Sequence, residues 1–422
     1  MAKSLTIAII GGSIWGNRGA EAMLVTTLGK IRTNFPGAYF VVFTPYPQKD
    51  RLLVPEKNLV FFDSRPKALI IYTIEALLFW GAQKCSLPVK LTGAMKAVHQ
   101  ADVLLDIGGI TFSDGRLIFL PYNILTIWPA MLLGTPVIKL SQAAGSFKNP
   151  VIRSLAKIFL SRCRFIFGRG EKTCSYLQQK LGLQITQFSL ATDIAFLYTP
   201  EYSLSCENEL AVHQLSEKMT VIRRQGNRII SIAPSELVLQ KSNSSKISYT
   251  QALLEMVKHV DTPNSYYIVF PNASRERSKK TRNNDIHAVS AIRTKVRFSV
   301  PLSLYKRFTW IEFDINSRGI REIVRLSDVL VTSRFHAMVS GLALSIPTLV
   351  IGWGHKYMEA MKAFDLERFV VDYQDKSRDL TSLLKELLDN NAEIHVRMEA
   401  NLPAVLKSAN TQFEYLRNFL EE

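Results

Sequence analysis

A chain of 422 residues with 47% hydrophobic and 21% charged side chains can build two sizeable cores, which excludes a disordered or low-complexity protein. Its 52 lysines and arginines against 36 acidic residues give a formal charge of +16, so an anionic partner is expected: nucleic acid, an anionic membrane face or an anionic substrate. No RNP, zinc-finger or basic-zipper pattern accompanies the charge, so nucleic acid is not expected. The four cysteines (Cys85, Cys163, Cys174, Cys206) lack metal-ligand spacing, and their sparsity fits a reducing compartment.

The N-terminal segment MAKSLTIAIIGGS has too short an apolar run for a signal peptide, which predicts a cytoplasmic protein. LTIAII (5–10) reads as a buried strand, AEAMLVTTLGKIRTNF (20–35) as a helix and AYFVVF (38–43) as the next strand. Two apolar stretches, 68–82 and 117–134, fall short of the roughly 20 uninterrupted apolar residues that a bilayer span needs. The first carries Glu75, the second Pro121, Asn123 and Pro129, and both are expected as buried or interfacial helix. Further strands are predicted at 102–107, 136–141 and 165–168, with a helix at 171–182 ending on Gly182.

Residues 199–227 lose the rhythm and are expected as a linker after an N-terminal domain, 1–198. A second alternating block, 228–376, follows. Its strands are predicted at 228–233, 266–270, 310–314, 328–332 and 348–352, its helices at 249–260 and 285–296. The tail, 377–422, reads as helices. Continuous apolar strands alternating with helices predict an α/β fold of two Rossmann-like, doubly wound domains with a cleft between them.

Four small-residue loops at strand ends carry the first chemical signals. GGSIWGNRGAEAML places Gly16, Asn17 and Arg18 at its tip, but it is neither GxGxxG nor a Walker loop. DIGGITFSDG contributes Gly108 and Gly109, and SQAAGSF is a third such loop. FGRGEKTC sets Arg169 and Glu171 before a helix. Together they are expected to line one rim with backbone N–H groups. Asp193, in ATDIAF, is either a helix cap or a base or orienting carboxylate.

The strongest signal is VLVTSRFHAMVSGLALSIPTLVIGWGHKY, residues 329–357. Ser333 is expected to cap a helix starting near Arg334, whose first turn exposes N–H groups suited to an anion. Arg334 adds a fork for phosphate or carboxylate, and His336 a group that holds or gives a proton near neutrality. Trp353, His355 and Lys356 follow the next strand. No metal-ligand cluster is visible. The basic run SRERSKKTRNN (274–284) has no interleaved aromatic; it reads either as a solvated loop or as a loop facing anionic lipid or diphosphate.

GNRGAEAM, DIGGITFSD, SQAAGSF, GRGEKTCSYLQQKLG, ATDIAF and TSRFHAMVSGLALSIPTLVIGWGHKY occur in this order over roughly residues 5–370. With its Arg334-x-His336-Ala337 core, this set resembles the polysaccharide pyruvyl transferases. Ala20 stands where the family usually has an acid, and Ile194 where proline is common. The resemblance implies a GT-B-like fold and transfer of pyruvate from phosphoenolpyruvate to a sugar, usually as a ketal bridging two hydroxyls. No cofactor is needed beyond phosphoenolpyruvate itself as co-substrate. On this reading His336 and Asp193 are the catalytic candidates. Arg334, Ser333, Lys356, Arg169 and His355 would bind the donor; Gly16, Asn17, Arg18, Gly108 and Gly109 would bind a polysaccharide or lipid-linked glycan acceptor. The alternatives are a glycosyltransferase of the same architecture using a nucleotide sugar, and a non-catalytic glycan-binding protein. The charge predicts peripheral contact with an anionic cytoplasmic membrane face.

Overall fold

The computed structural model describes residues 5–199, 208–242, 248–275, 283–352, 354–375 and 379–422. The chain forms two compact units. One comprises Met1–Trp15, Ala20–Thr199 and Leu406–Glu422; the other Gly16–Gly19 and Pro200–Val405.

The first unit is built on an all-parallel sheet. Its strands are β1 (Thr6–Ile10), β2 (Tyr39–Thr44), β3 (Leu59–Asp63), β4 (Val103–Asp106), β5 (Ile110–Ser113), β6 (Val137–Gly145), β7 (Phe165–Gly168) and β8 (Phe188–Leu190). The order is β3-β2-β1-β4-β6-β7-β8, with β5 paired to β6. Ile7, Ala8 and Ile9 are wholly buried because helices cover both faces of the central strand, so its sequence is continuously apolar rather than alternating. Strand order reverses between β1 and β4, and the loops after both strands are glycine-rich. Helix Pro150–Leu160 starts on Asn149, whose side chain accepts from the N–H groups of Val151 and Ile152. Helix Glu171–Leu181 ends on Gly182 at φ 69°, the left-handed stop its sequence predicts.

The second unit repeats the plan with six parallel strands. These are β9 (Arg228–Ala233), β10 (Ser265–Val269), β11 (Phe308–Trp310), β12 (Val329–Thr332), β13 (Thr348–Gly352) and β14 (Val370–Asp372). Their order is β11-β10-β9-β12-β13-β14, so the reversal lies between β9 and β12. Ala233 leaves β9 and Thr332 leaves β12 side by side, since the two residues are register partners.

Several elements differ from the sequence reading. Residues 209–224, read as linker, form helix Glu209–Arg224, and its Val212, Met219 and Ile222 join the second core. SQAAGSF is not a loop throughout: β6 runs to Gly145. The strand expected at 310–314 lies earlier, at Phe308–Trp310. The stretch 68–82 is helix Pro66–Lys84. Residues 117–134 break into a 3₁₀ turn and two short helices, with Pro121 and Pro129 each in a first turn, where a missing N–H costs nothing. Among the described residues no helix is long and apolar enough to cross a membrane. Most of the basic run, 276–282, lies outside the described residues, as does Trp353.

Candidate functional site

In the second unit the reversal point gathers three strand ends. Helix Phe335–Ala343 begins immediately after β12, with Arg334 in the N-cap position and no side-chain cap. Ser333 therefore does not cap the helix as expected. Its Oγ lies 2.6 Å from the Tyr249 hydroxyl, and its carbonyl accepts from the Tyr357 hydroxyl at 3.2 Å. Thr332 takes the nearer role: its Oγ1 accepts the Arg334 N–H at 2.9 Å. The cap position is thus clamped by two buried tyrosines and a threonine.

Arg334 is paired with Asp285, a wholly buried carboxylate from the start of helix Ile286–Arg297. Asp285 also accepts the N–H groups of Glu236 at 3.0 Å and Ala273 at 2.9 Å, so one side chain ties together the ends of β9, β10 and β12. Burial works against the guanidinium charge, but the charge and hydrogen bond of Asp285 outweigh it, and the Arg334 pKa is raised. The guanidinium is not saturated among the described residues: Nε is buried with no hydrogen-bond partner there.

Glu236, whose N–H shares Asp285 with Arg334, is 6% exposed, with Oε1 bonded to Gln240 at 2.8 Å and Oε2 buried without a partner among the described residues. Burial raises its pKa above the ordinary carboxylate value. Asp285 adds to the rise, while Gln240, His287 and Arg334 pull the other way without cancelling it. Buried polar atoms without partners among the described residues are uncommon, and Arg334 and Glu236 each carry one.

His336 is the second residue of its helix, edge-on to Phe335 with ring centroids 5.2 Å apart. Its ring lies against Gly19, where an added Cβ would overlap Nδ1. Lys356 sits with Nζ 5.2 Å from the Phe335 ring and 4.9 Å from that of Tyr357, an arrangement that holds a cation over aromatic faces. His355 opens helix His355–Lys362, its Nε2 4.0 Å from the Glu359 carboxylate. Arg18 is buried and bonded to Asp314 at 2.6 Å, Asn17 accepts the Gly19 N–H, and Gly16 abuts Arg275. The loop tip read as acceptor-binding thus belongs to the same unit as Arg334 and His336.

The first unit collects the remaining predicted residues. Arg169 and Asp193 form a buried ion pair of 2.5 Å. The other Asp193 oxygen accepts the Ala195 N–H, so Asp193 is at once a cap and the residue that orients Arg169. Gly109 lies against Arg169, where a Cβ would come within 3.1 Å of Nη1. The Gly108 N–H, expected on a free rim, donates instead to Asp106, which also pairs with the wholly buried Lys139.

The sequence profile of the polysaccharide pyruvyl transferases matches residues 17–355, most of the chain. The protein belongs to the polysaccharide pyruvyl transferase family. No curated protein matches its sequence. Solved structures share the fold at low identity. UDP-GlcNAc 2-epimerase from Neisseria meningitidis, bound to UDP-GlcNAc, is 10% identical with a TM-score of 0.61, covering 99% of this chain and 100% of that one. MnaA of S. aureus, in complex with UDP, is 12% identical at TM-score 0.60, covering 99% and 98%. A glycosyltransferase from Rickettsia africae is 12% identical at 0.58, covering 99% and 98%. These likenesses establish for this pyruvyl transferase family member a GT-B-like architecture of two parallel-sheet domains.

Two residues of this candidate site escaped the sequence reading. Glu236 follows β9 by three residues in APSEL, the same small-residue strand-end signal that marked the other loops. Asp285 opens a helix the sequence predicts, but nothing local distinguishes it from an ordinary first-turn acid.

Proposed function

We propose that the protein transfers pyruvate from phosphoenolpyruvate to two hydroxyls of one sugar, in a polysaccharide or lipid-linked glycan, forming a ketal. The observation that carries the reading is the pairing of Arg334 with the wholly buried Asp285, which also holds the Glu236 N–H, together with an Arg334 Nε and a Glu236 oxygen that have no hydrogen-bond partner among the described residues. A donor with a phosphate and a carboxylate supplies acceptors for Arg334 and for the cation of Lys356. His336 is a group that can hold a proton near neutrality, and burial raises the Glu236 pKa above the ordinary carboxylate value, which favours its protonated form.

The reaction balances without a redox partner. A proton is added to the donor's methylene carbon, which becomes the methyl group, and C2 acquires cationic character. One sugar hydroxyl attacks C2, the C2–O bond to phosphate breaks, and the second hydroxyl closes the ketal. Of the two hydroxyl protons released, one replaces the proton given to the methylene and the other leaves on the phosphate. The protein's part is to hold the anion, deliver the first proton and keep the leaving phosphate neutralised. We assign proton delivery to His336 and anion binding to Arg334 and Lys356. Ser333 sets the position of Arg334, and His355 is a further polar contact on the donor side. In the first unit, Arg169 oriented by Asp193 provides a fixed cation, beside the Gly108–Gly109 turn.

The test is phosphate release from phosphoenolpyruvate in the presence of soluble glycans and lipid-linked sugars. Release that depends on an acceptor and disappears in Arg334→Ala supports the reading. Thermal stabilisation by UDP-sugars, with none by phosphoenolpyruvate, would assign the site to a nucleotide sugar instead.

A further inference from the structure

Helix Pro66–Lys84 is apolar on both sides, yet only one side is covered. Leu69 and Ala76 face inward into the first core, and Thr73 is likewise buried. Ile70, Ile71, Ile74, Leu77, Leu78 and Trp80 point outward and are 36–65% exposed. They recur at spacings of three and four, so they form one stripe, about 15 Å long at 1.5 Å per residue. The chain beyond the helix continues it with exposed Leu87 and Val89.

Charge decides what this face fits. Between residues 64 and 100 the only carboxylate is Glu75, against Arg65, Lys67, Lys84, Lys90 and Lys96. Glu75 is engaged, its oxygens accepting from the N–H and hydroxyl of Thr92. Arg65 is bonded to Asp63, but Lys67, Lys84 and Lys90 are exposed and flank the stripe at its two ends. Lys84 Nζ lies 3.9 Å from the Trp80 ring, joining an amphipathic ring to a cation at the edge of the apolar surface. A second copy packed antiparallel on the same stripe would bring Lys67 opposite Lys84 in a chain already at +16, a like-charge arrangement. An anionic lipid surface complements both parts: acyl chains for the stripe, headgroups for the lysines.

We propose that the outer face of helix Pro66–Lys84 docks the protein on an anionic bilayer, lying in the interface without crossing it. The inference is independent of the reaction assigned above.

The experiment is flotation of the full chain with phosphatidylcholine vesicles, alone or with about a quarter phosphatidylglycerol. The parent is expected to bind the anionic vesicles, with Trp80 emission shifting to the blue. Ile71→Glu/Leu78→Glu should lower partitioning at least about tenfold, because it puts two charges into the apolar stripe. Both positions are exposed, so the variant should keep the parent's melting temperature and acceptor-dependent turnover. Trp80→Phe should bind but lose the shift. Failure of the parent to bind, or equal binding by the double variant, would overturn the proposal. So would a dimer in sedimentation analysis that the double variant dissociates, since the face would then belong to a second copy.

Discussion

Arg334 enters its site already paired, which alters what its removal should do. Arg334→Ala deletes an anion contact and leaves Asp285 buried without its cation. The cost to donor binding is expected at about 2–4 kcal/mol, read from donor titration. A separate loss of fold stability, about 3–5 kcal/mol for an uncompensated buried charge, should appear in urea unfolding without donor. Arg334→Lys should restore part of the stability and little of the donor affinity, because a point charge replaces a fork whose arms serve Asp285 and the ligand at once. His336→Gln should cut turnover by roughly 10²–10⁴ with a smaller effect on donor affinity. Unchanged turnover in that variant would transfer the acid role to Glu236. Glu236 makes a separate prediction about pH. Its pKa is raised from the ordinary 4.5, chiefly by burial, so the native state favours its protonated form. Its contribution to stability is therefore full below about pH 4.5 and is lost as pH rises through the folded value. Glu236→Gln stays neutral throughout, so its stability relative to the parent should increase with pH across that window in parallel urea titrations.

Strand-to-helix junctions are the elements that carry the proposed chemistry, and glycine sets how closely they approach. Gly19 lies in the first turn of helix Arg18–Asn34, against the His336 ring. Gly19→Ala should displace that ring and lower turnover by about tenfold or more, with little change in melting temperature because a side chain can move aside. Gly11 differs: its φ is +92°, and an added Cβ would overlap the Gly108 backbone. Gly11→Ala should therefore cost stability, about 1–3 kcal/mol in urea unfolding. The central strands β1, β4, β6, β9, β12 and β13 were legible because burial on both faces leaves an unbroken apolar run. The strands β3, β8 and β14 at sheet edges were not. They are short and partly exposed, and no strand was expected there from the sequence. Strand β5 is a four-residue pairing on β6 set only by the register of the folded sheet. Ser333 misled for a related reason: a serine before a helix signals a cap, but here a tyrosine distant in sequence claims its hydroxyl.

At the scale of the molecule, the chain closes on itself. The C-terminal helix, Asn391–Glu421, supplies Leu406 onward to the first unit. Gln412 is wholly buried, accepting the Ser141 N–H at 2.9 Å and donating to the Thr192 carbonyl at 2.7 Å. Tyr415 stacks on Phe165 with centroids 4.2 Å apart. Gln412→Ala should leave the buried Ser141 N–H without its partner, at about 1–3 kcal/mol, and Leu416→Ala, at a buried position, should cost about 2–5 kcal/mol. Thermal unfolding of the full chain measures both; a tail that merely decorates the fold would show neither loss. By itself the sequence determined two βα blocks, the strand end that bears Arg334 and His336, and membership of the pyruvyl transferase family. Hydrophobic period and strand-end glycines are local properties, readable within about twenty residues. The partners of particular residues were decided only by tertiary structure: Asp285 for Arg334, Gly19 for His336, Asp193 for Arg169 and, outside the candidate site, Gln412 for Ser141. Each pair joins segments that are distant in the chain and brought together only by the fold, and hydrogen bonds, ion pairs and close contacts act over a few ångströms of space rather than along the sequence.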